Sequence, residues 1–108
     1  MTETTMAGTT LARAFHALAD PKRLRILEVL RGGECCVCDL ADALGMRQSL
    51  LSFHLRTLRD AGLVRDRKDG RWVHYALSEA ALTEAREYLA GVGRDARGGR
   101  GFRCCRHK

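Results

Sequence analysis

Apolar residues recur at helical spacing in five blocks of the chain, and one further stretch carries strand formers around a turn signal. Leu11, Phe15 and Leu18 fall at i, i+4 and i+7 and predict a helix over 9–19, preceded by a small, polar start at 1–8 that is expected to fray. Asp20-Pro21 reads as a stop and a restart: Asp suits an N-cap, and Pro suits the first helical position, where no N–H is needed. The helix that follows, over 21–30, places Leu24, Leu27 and Leu30 on one stripe beside Ile26 and ends at Gly32-Gly33. Leu40 and Leu44 predict a short helix over 36–44, Gly45 a tight turn, and Leu51, Leu55 and Leu58 the buried stripe of a helix over 47–61 closed by Gly62. A helix, a short turn containing glycine and a second helix make the helix-turn-helix pattern.

Strands are expected over 63–68 and 71–77, around Asp69-Gly70, whose residue types suit a type I′ turn with positive φ at two positions. Ser78 is placed to cap a last helix over 79–92, with Leu82, Ala85 and Leu89 on one face. The glycine-rich stretch 91–101 has no apolar periodicity and reads as a tether. The fold class is therefore mainly α with a β-hairpin (α+β), a winged helix-turn-helix. No apolar run nears the roughly 20 residues that span a bilayer, and no signal peptide is visible, so a cytoplasmic protein is expected.

Charge sharpens this picture. The net charge of +6 is not evenly spread: 93–108 carries +5 and 47–74 carries +4, while the remainder is negative. Basic blocks of this kind are the footprint of a nucleic-acid binder. A recognition helix faces base edges with its N-terminal residues, here Arg47, Gln48, Ser49 and Ser52, then His54 and Arg56 one turn on. Gln can pair with adenine and Arg with guanine. Arg65, Arg67, Lys68 and Arg71 on the hairpin are placed to meet phosphates, which position the protein without specifying sequence. Leu50 and Phe53, three residues apart, are expected to pack against a neighbouring element rather than meet thymine methyls.

Five cysteines add chemistry. In the reducing cytosol they favour soft-ion or redox roles over structural disulfides. Cys35, Cys36 and Cys38 crowd into four positions just before the helix-turn-helix, and Cys104-Cys105 sits in the tail.

Several motifs, in order, resemble the ArsR/SmtB family of metal-sensing repressors: Leu18-Ala19-Asp20-Pro21, Arg23-Leu24-Arg25-Ile26-Leu27, Glu34-Cys35-Cys36-Val37-Cys38-Asp39-Leu40, Gln48-Ser49-Leu50-Leu51-Ser52-Phe53-His54-Leu55, Ala61-Gly62-Leu63-Val64 and Gly70-Arg71-Trp72-Val73-His74-Tyr75. The resemblance covers about residues 10–92. It implies a homodimer joined through its first and last helices, which represses a double-stranded operator until a metal or metalloid binds. It also implies two parts: 1–92 as a winged helix-turn-helix DNA-binding and dimerisation domain, and 93–108 as a flexible basic tail. Residues 34–40 look most like the arsenic sensors, whose motif is E-L-C-V-C-D-L-C. This chain departs from it at Cys35, where the motif has Leu, and at Ala41, where a third Cys often stands.

Trivalent arsenic or antimony suits three thiolates, so As(III) or Sb(III) is the expected inducer, held by Cys36, Cys38 and a third thiol from Cys35, Cys104 or Cys105. Cys36 and Cys38 lie about 200° apart around a regular helix, so joining them to one ion is expected to unwind the helix beneath the recognition helix. Cys35 and Cys38, three apart, share a helical face; Cys35 also has a second reading as a small buried apolar residue. The last helix lacks histidine, so the His/Asp zinc site of some family members is absent there. Alternatives are a divalent soft-metal sensor using Cys36, Cys38, Cys104 and Cys105 for Cd²⁺, Pb²⁺ or Zn²⁺, and a thiol-oxidation sensor on the same scaffold. An enzyme using Cys35/Cys38 as a C-x-x-C redox pair lacks the βαβ setting that motif expects. The expected protein is a regulator, not an enzyme.

Overall fold

The computed structural model describes the backbone of residues 2–98 and the side chains of 10–97. Helix α1 (Thr2–Leu18) leads to α2 (Pro21–Leu30), a two-residue strand β1 (Cys35–Cys36), α3 (Val37–Leu44) and α4 (Gln48–Asp60). Strands β2 (Val64–Asp69) and β3 (Trp72–Leu77) form the wing, and α5 (Glu79–Gly98) closes the domain. The sheet is antiparallel in the order β1-β3-β2. Among the described residues no helix is long and apolar enough to cross a membrane.

Local chemistry accounts for the breaks. Asp20 caps α2, its Oδ1 accepting from the backbone N–H of Lys22 (2.8 Å) and Arg23 (3.3 Å), with Pro21 entering the first turn. Gly45 ends α3 in the left-handed region at φ 61°, which a side chain would strain. The core runs through Ile26, Leu30, Leu40, Leu51, Leu55, Leu58 and Leu63, drawing α2, α3, α4 and the start of the wing onto one apolar centre. Ala14 and Ala17 carry α1 onto it, their small side chains allowing close approach.

The structure departs from the periodicity in several places. Helix α1 begins at Thr2, ahead of the start expected at residue 9. The hairpin sits one residue later than expected. Asp69 pairs with Trp72, so the two-residue loop is Gly70-Arg71. Gly70 has φ 65°, and among the described residues no non-glycine residue has positive φ. The turn therefore has its glycine at the first central position and lacks the second positive φ that type I′ requires.

In α2 it is Arg23, not Leu24, that turns inward; Leu24 is exposed. Leu50 and Phe53 are also exposed rather than packed. Helix α5 continues to Gly98, so the boundary expected at residue 92 falls inside a helix. Glycine costs a helix about 1 kcal/mol against alanine but does not forbid it, and the intervening Arg94, Ala96 and Arg97 are good helix formers.

Candidate nucleic-acid interface and thiol junction

Helix α4 has two chemically distinct sides. Leu51, His54, Leu55 and Leu58 point into the core at i, i+3, i+4 and i+7. Gln48, Ser49, Ser52 and Arg56 are exposed at i, i+1, i+4 and i+8, with exposed Arg47 at the N-cap. Five of the six residues expected to face bases are thus gathered on one solvent face. His54 is the exception and is corrected: its position belongs to the buried register, and it is 5% exposed.

His54 answers to a residue the sequence reading missed. Arg23, 7% exposed, donates through Nε to the Ala17 carbonyl (2.7 Å) and through Nη2 to the His16 carbonyl (3.4 Å). Its Nη1 lies 3.1 Å from His54 Nδ1. Because a guanidinium only donates, Nδ1 is the acceptor and the ring proton sits on Nε2. One buried cation therefore ties the last turn of α1 to the middle of α4. The available signal was the spacing of Arg23, Ile26 and Leu30 at i, i+3 and i+7, an inward stripe beginning with a charge.

Burial pushes the His54 imidazole below its ordinary value of 6.5; Arg23 and Lys22 push the same way and Asp20 opposes them. The folded state thus resists a proton that the unfolded chain takes up. The stability held by neutral His54 is complete above about pH 6.5 and is lost as pH falls from there towards the lower folded pKa. Melting temperatures between pH 8 and pH 5 are expected to fall more steeply for the native chain than for His54→Gln, which keeps an acceptor for Arg23 but does not titrate. Parallel curves would remove His54 from this role.

On the wing, Lys68 and Arg71 are exposed and form no ion pair among the described residues. Arg65 donates to the Leu77 carbonyl at 2.8 Å. Arg67 clasps Glu34 with two hydrogen bonds, 3.0 Å from Nε and 2.8 Å from Nη2. That bonding to Arg67 holds the Glu34 carboxyl below the usual range. Arg67 is exposed like Lys68 but, unlike it, is paired with a carboxylate.

The thiols flank a strand-to-helix junction. Cys35 pairs with Tyr75 and Cys36 with His74, so the segment forms the third strand of the wing sheet. Cys35 is half-buried against the core, and burial, with Asp39 and Cys36 nearby, raises its thiol pKa and favours the protonated form. Its surroundings suit a packing residue. Cys36 is the N-cap of α3 in extended conformation (φ −80°, ψ 160°), with no side-chain capping bond. Cys38 is exposed in the first turn, and its Sγ accepts from Gln48 Nε2 at 3.6 Å. The thiol opens on a cleft of about 270 Å³ that Gln48, Ser52, Arg71 and Trp72 also line.

This corrects the geometry drawn from a regular helix. Cys36 is already outside α3, in extended conformation, so the 200° separation of a regular helix does not apply to it. Nor do Cys35 and Cys38 share a helical face, because Cys35 belongs to the strand. Among the described residues no three His, Cys, Asp or Glu side chains form a ready metal cluster. Cys104 and Cys105 lie outside the described residues.

A short turn linking α3 to α4, an outward polar face on α4 and a basic hairpin beside it define a winged helix-turn-helix, the architecture that presents one helix to the major groove of DNA. The profile described as "Bacterial regulatory protein, arsR family" matches residues 20–66. The chain belongs to the ArsR family.

Over 65 residues it is 54% identical to the arsenical resistance operon repressor of Escherichia coli, a match covering 59% of this chain and 56% of that protein, so the chain spans little more than half of that relative's length. Over 87 residues it is 45% identical to the HTH-type transcriptional regulator CmtR of Mycobacterium tuberculosis, covering 81% and 74% of the two chains. Among solved structures it resembles a homodimeric winged helix-turn-helix DNA-binding domain from Mycobacterium bovis, a possible ArsR-family regulator, with a TM-score of 0.68, 29% identity and 94% of each chain covered.

Proposed function

We propose that the chain is a homodimeric repressor that leaves its operator when trivalent arsenic or antimony is bound by Cys36, Cys38 and a third cysteine. The observation carrying this reading is the placement of the thiols: Cys36 is hydrogen-bonded into the wing sheet and Cys38 touches the first residue of α4. An ion drawing these sulfurs together pulls on both surfaces that meet DNA. Similarity to an arsenical resistance operon repressor supports the choice of inducer.

Arsenous acid, As(OH)₃, condenses with three thiols to give As(SR)₃ and three waters, with no change of oxidation state. The third sulfur comes from Cys35, Cys104 or Cys105. Pairing of two copies is supported by exposed Tyr88, Leu89 and Val92 on α5, beside Phe15 of α1, whose ring lies 6.1 Å from Tyr88. A patch of that kind on a small domain calls for a cover. A release factor near 100 requires about 2.7 kcal/mol of differential binding, and operator must weaken metalloid binding by the same factor.

The test is titration of the operator-bound protein with arsenite and, separately, Cd²⁺, with sulfur neighbours counted by X-ray absorption. Release by arsenite with three sulfurs supports the proposal. Release by Cd²⁺ alone transfers it to a divalent sensor, and release by peroxide alone to a thiol-oxidation sensor.

The Glu34–Arg67 clasp makes a separate expectation for the wing. Glu34→Gln frees Arg67 for a phosphate, so operator affinity between 50 and 200 mM salt should fall with a log–log slope steeper by about 0.9. Adding Arg67→Ala should return the slope to its starting value. An unchanged slope in Glu34→Gln would mean that Arg67 does not reach the backbone of DNA.

A further inference from the structure

We infer that Gln48 is the positioning residue that carries the state of the Cys38 sulfur to the DNA-facing end of α4. The inference builds on the proposed roles of Cys38 as inducer ligand and Gln48 as base-facing residue. It names the contact between them as the point of coupling.

Gln48 is the first residue of α4, and its side chain is exposed. Its hydrogen bond to Cys38 Sγ is the one side-chain bond it makes among the described residues. The N-cap residue Arg47 makes no side-chain capping bond that would order this turn instead. A free glutamine must surrender rotamer freedom when it meets a base. The sulfur removes part of that freedom in advance. It takes one of the two Nε2 hydrogens and leaves the other, together with Oε1, the donor–acceptor pair that an adenine edge requires.

Ligation changes this arrangement. The S–H bond gives way to an S–As bond, and a metalloid on Cys38 would take space in the cleft that Gln48, Ser52, Arg71 and Trp72 also line. Gln48 would then be displaced from its place beside the sulfur. The coupling needs no unfolding of α3.

The first test needs no metalloid. The duplex that the native chain selects from a randomised pool is labelled, and affinities are read by fluorescence anisotropy. Cys38→Ala and Gln48→Ala are each expected to weaken binding about five- to tenfold, and the double variant no more than about either alone, because both remove one arrangement. Cys38→Ser, whose hydroxyl still accepts from Gln48, should bind like the native chain. Losses that multiply in the double variant would overturn the inference.

The second test uses Gln48→Glu, which keeps the length but cannot donate. Trp72, the sole tryptophan, lines the cleft and reports ligation independently of DNA. Arsenite should still register at Trp72, while the ratio of operator affinities without and with arsenite should fall at least about tenfold. A ratio equal to that of the native chain would overturn the inference alone. A native chain that neither registers arsenite at Trp72 nor leaves DNA would overturn the metalloid reading, with the Cys38–Gln48 coupling still decided by the double-variant cycle.

Discussion

Cys36→Ser and Cys38→Ser are each expected to hold operator DNA as the native chain does and to lose release by arsenite, removing an effect of about 100-fold. A hydroxyl is a hard ligand that stays protonated at neutral pH, so it does not replace a thiolate on a soft metalloid. The two variants should differ in stability. Cys36 occupies the N-cap of α3 without making a capping bond. Serine is among the preferred residues at that position, and a cap of this kind is worth about 0.5–1 kcal/mol. Cys36→Ser should therefore melt roughly 2–6 °C higher than the native chain while failing to respond. Cys38→Ser, in the first turn and exposed, should melt at the native temperature. Anisotropy with and without arsenite, beside a thermal melt, checks both. Loss of DNA binding in either variant would mean that the thiols build the fold rather than sense.

The second large effect is on stability. Arg23→Ala strands the Ala17 carbonyl and the Nδ1 of His54, while the His16 carbonyl keeps the Ala19 N–H. Leaving a buried polar group unpaired costs about 1–3 kcal/mol, so the variant should lose on the order of 3 kcal/mol, and its melting temperature should drop on the order of 15 °C. Arg23→Lys keeps the charge but not the forked geometry and should recover only part of the loss. A drop of less than about 3 °C for Arg23→Ala would show that water replaces the guanidinium, and that α1 and α4 are joined by apolar packing alone.

The helix order and the core of α4 were legible because Leu51, Leu55 and Leu58 repeat at the period of a helix and because Asp20-Pro21, Gly45 and Gly62 mark its breaks. The wing was legible from its turn residues, although Asp69-Gly70 placed the loop one residue early. Three things were not visible. Strand β1 is two residues long, too short to carry periodicity, and exists only because β3 offers it partners. The inward turn of Arg23 depends on carbonyls from another helix, and hydropathy ranks that residue as exposed. The meeting of Cys38 with Gln48 spans ten positions and two helices, which no local pattern reports. The thiols themselves were evident from their spacing. Their conformation was not, because the helical reading extended one residue too far and took in Cys36.

Strand β1 bears on engineering. Because it borrows its partners from β3, a thiol segment moved into another regulator would arrive without a scaffold unless Tyr75 and His74 had counterparts there. Redesign of the specificity of this chain must therefore treat residues 34–38 and 74–75 as a single cassette. Swapping the cysteine stretch by itself would deliver ligands with no lever attached.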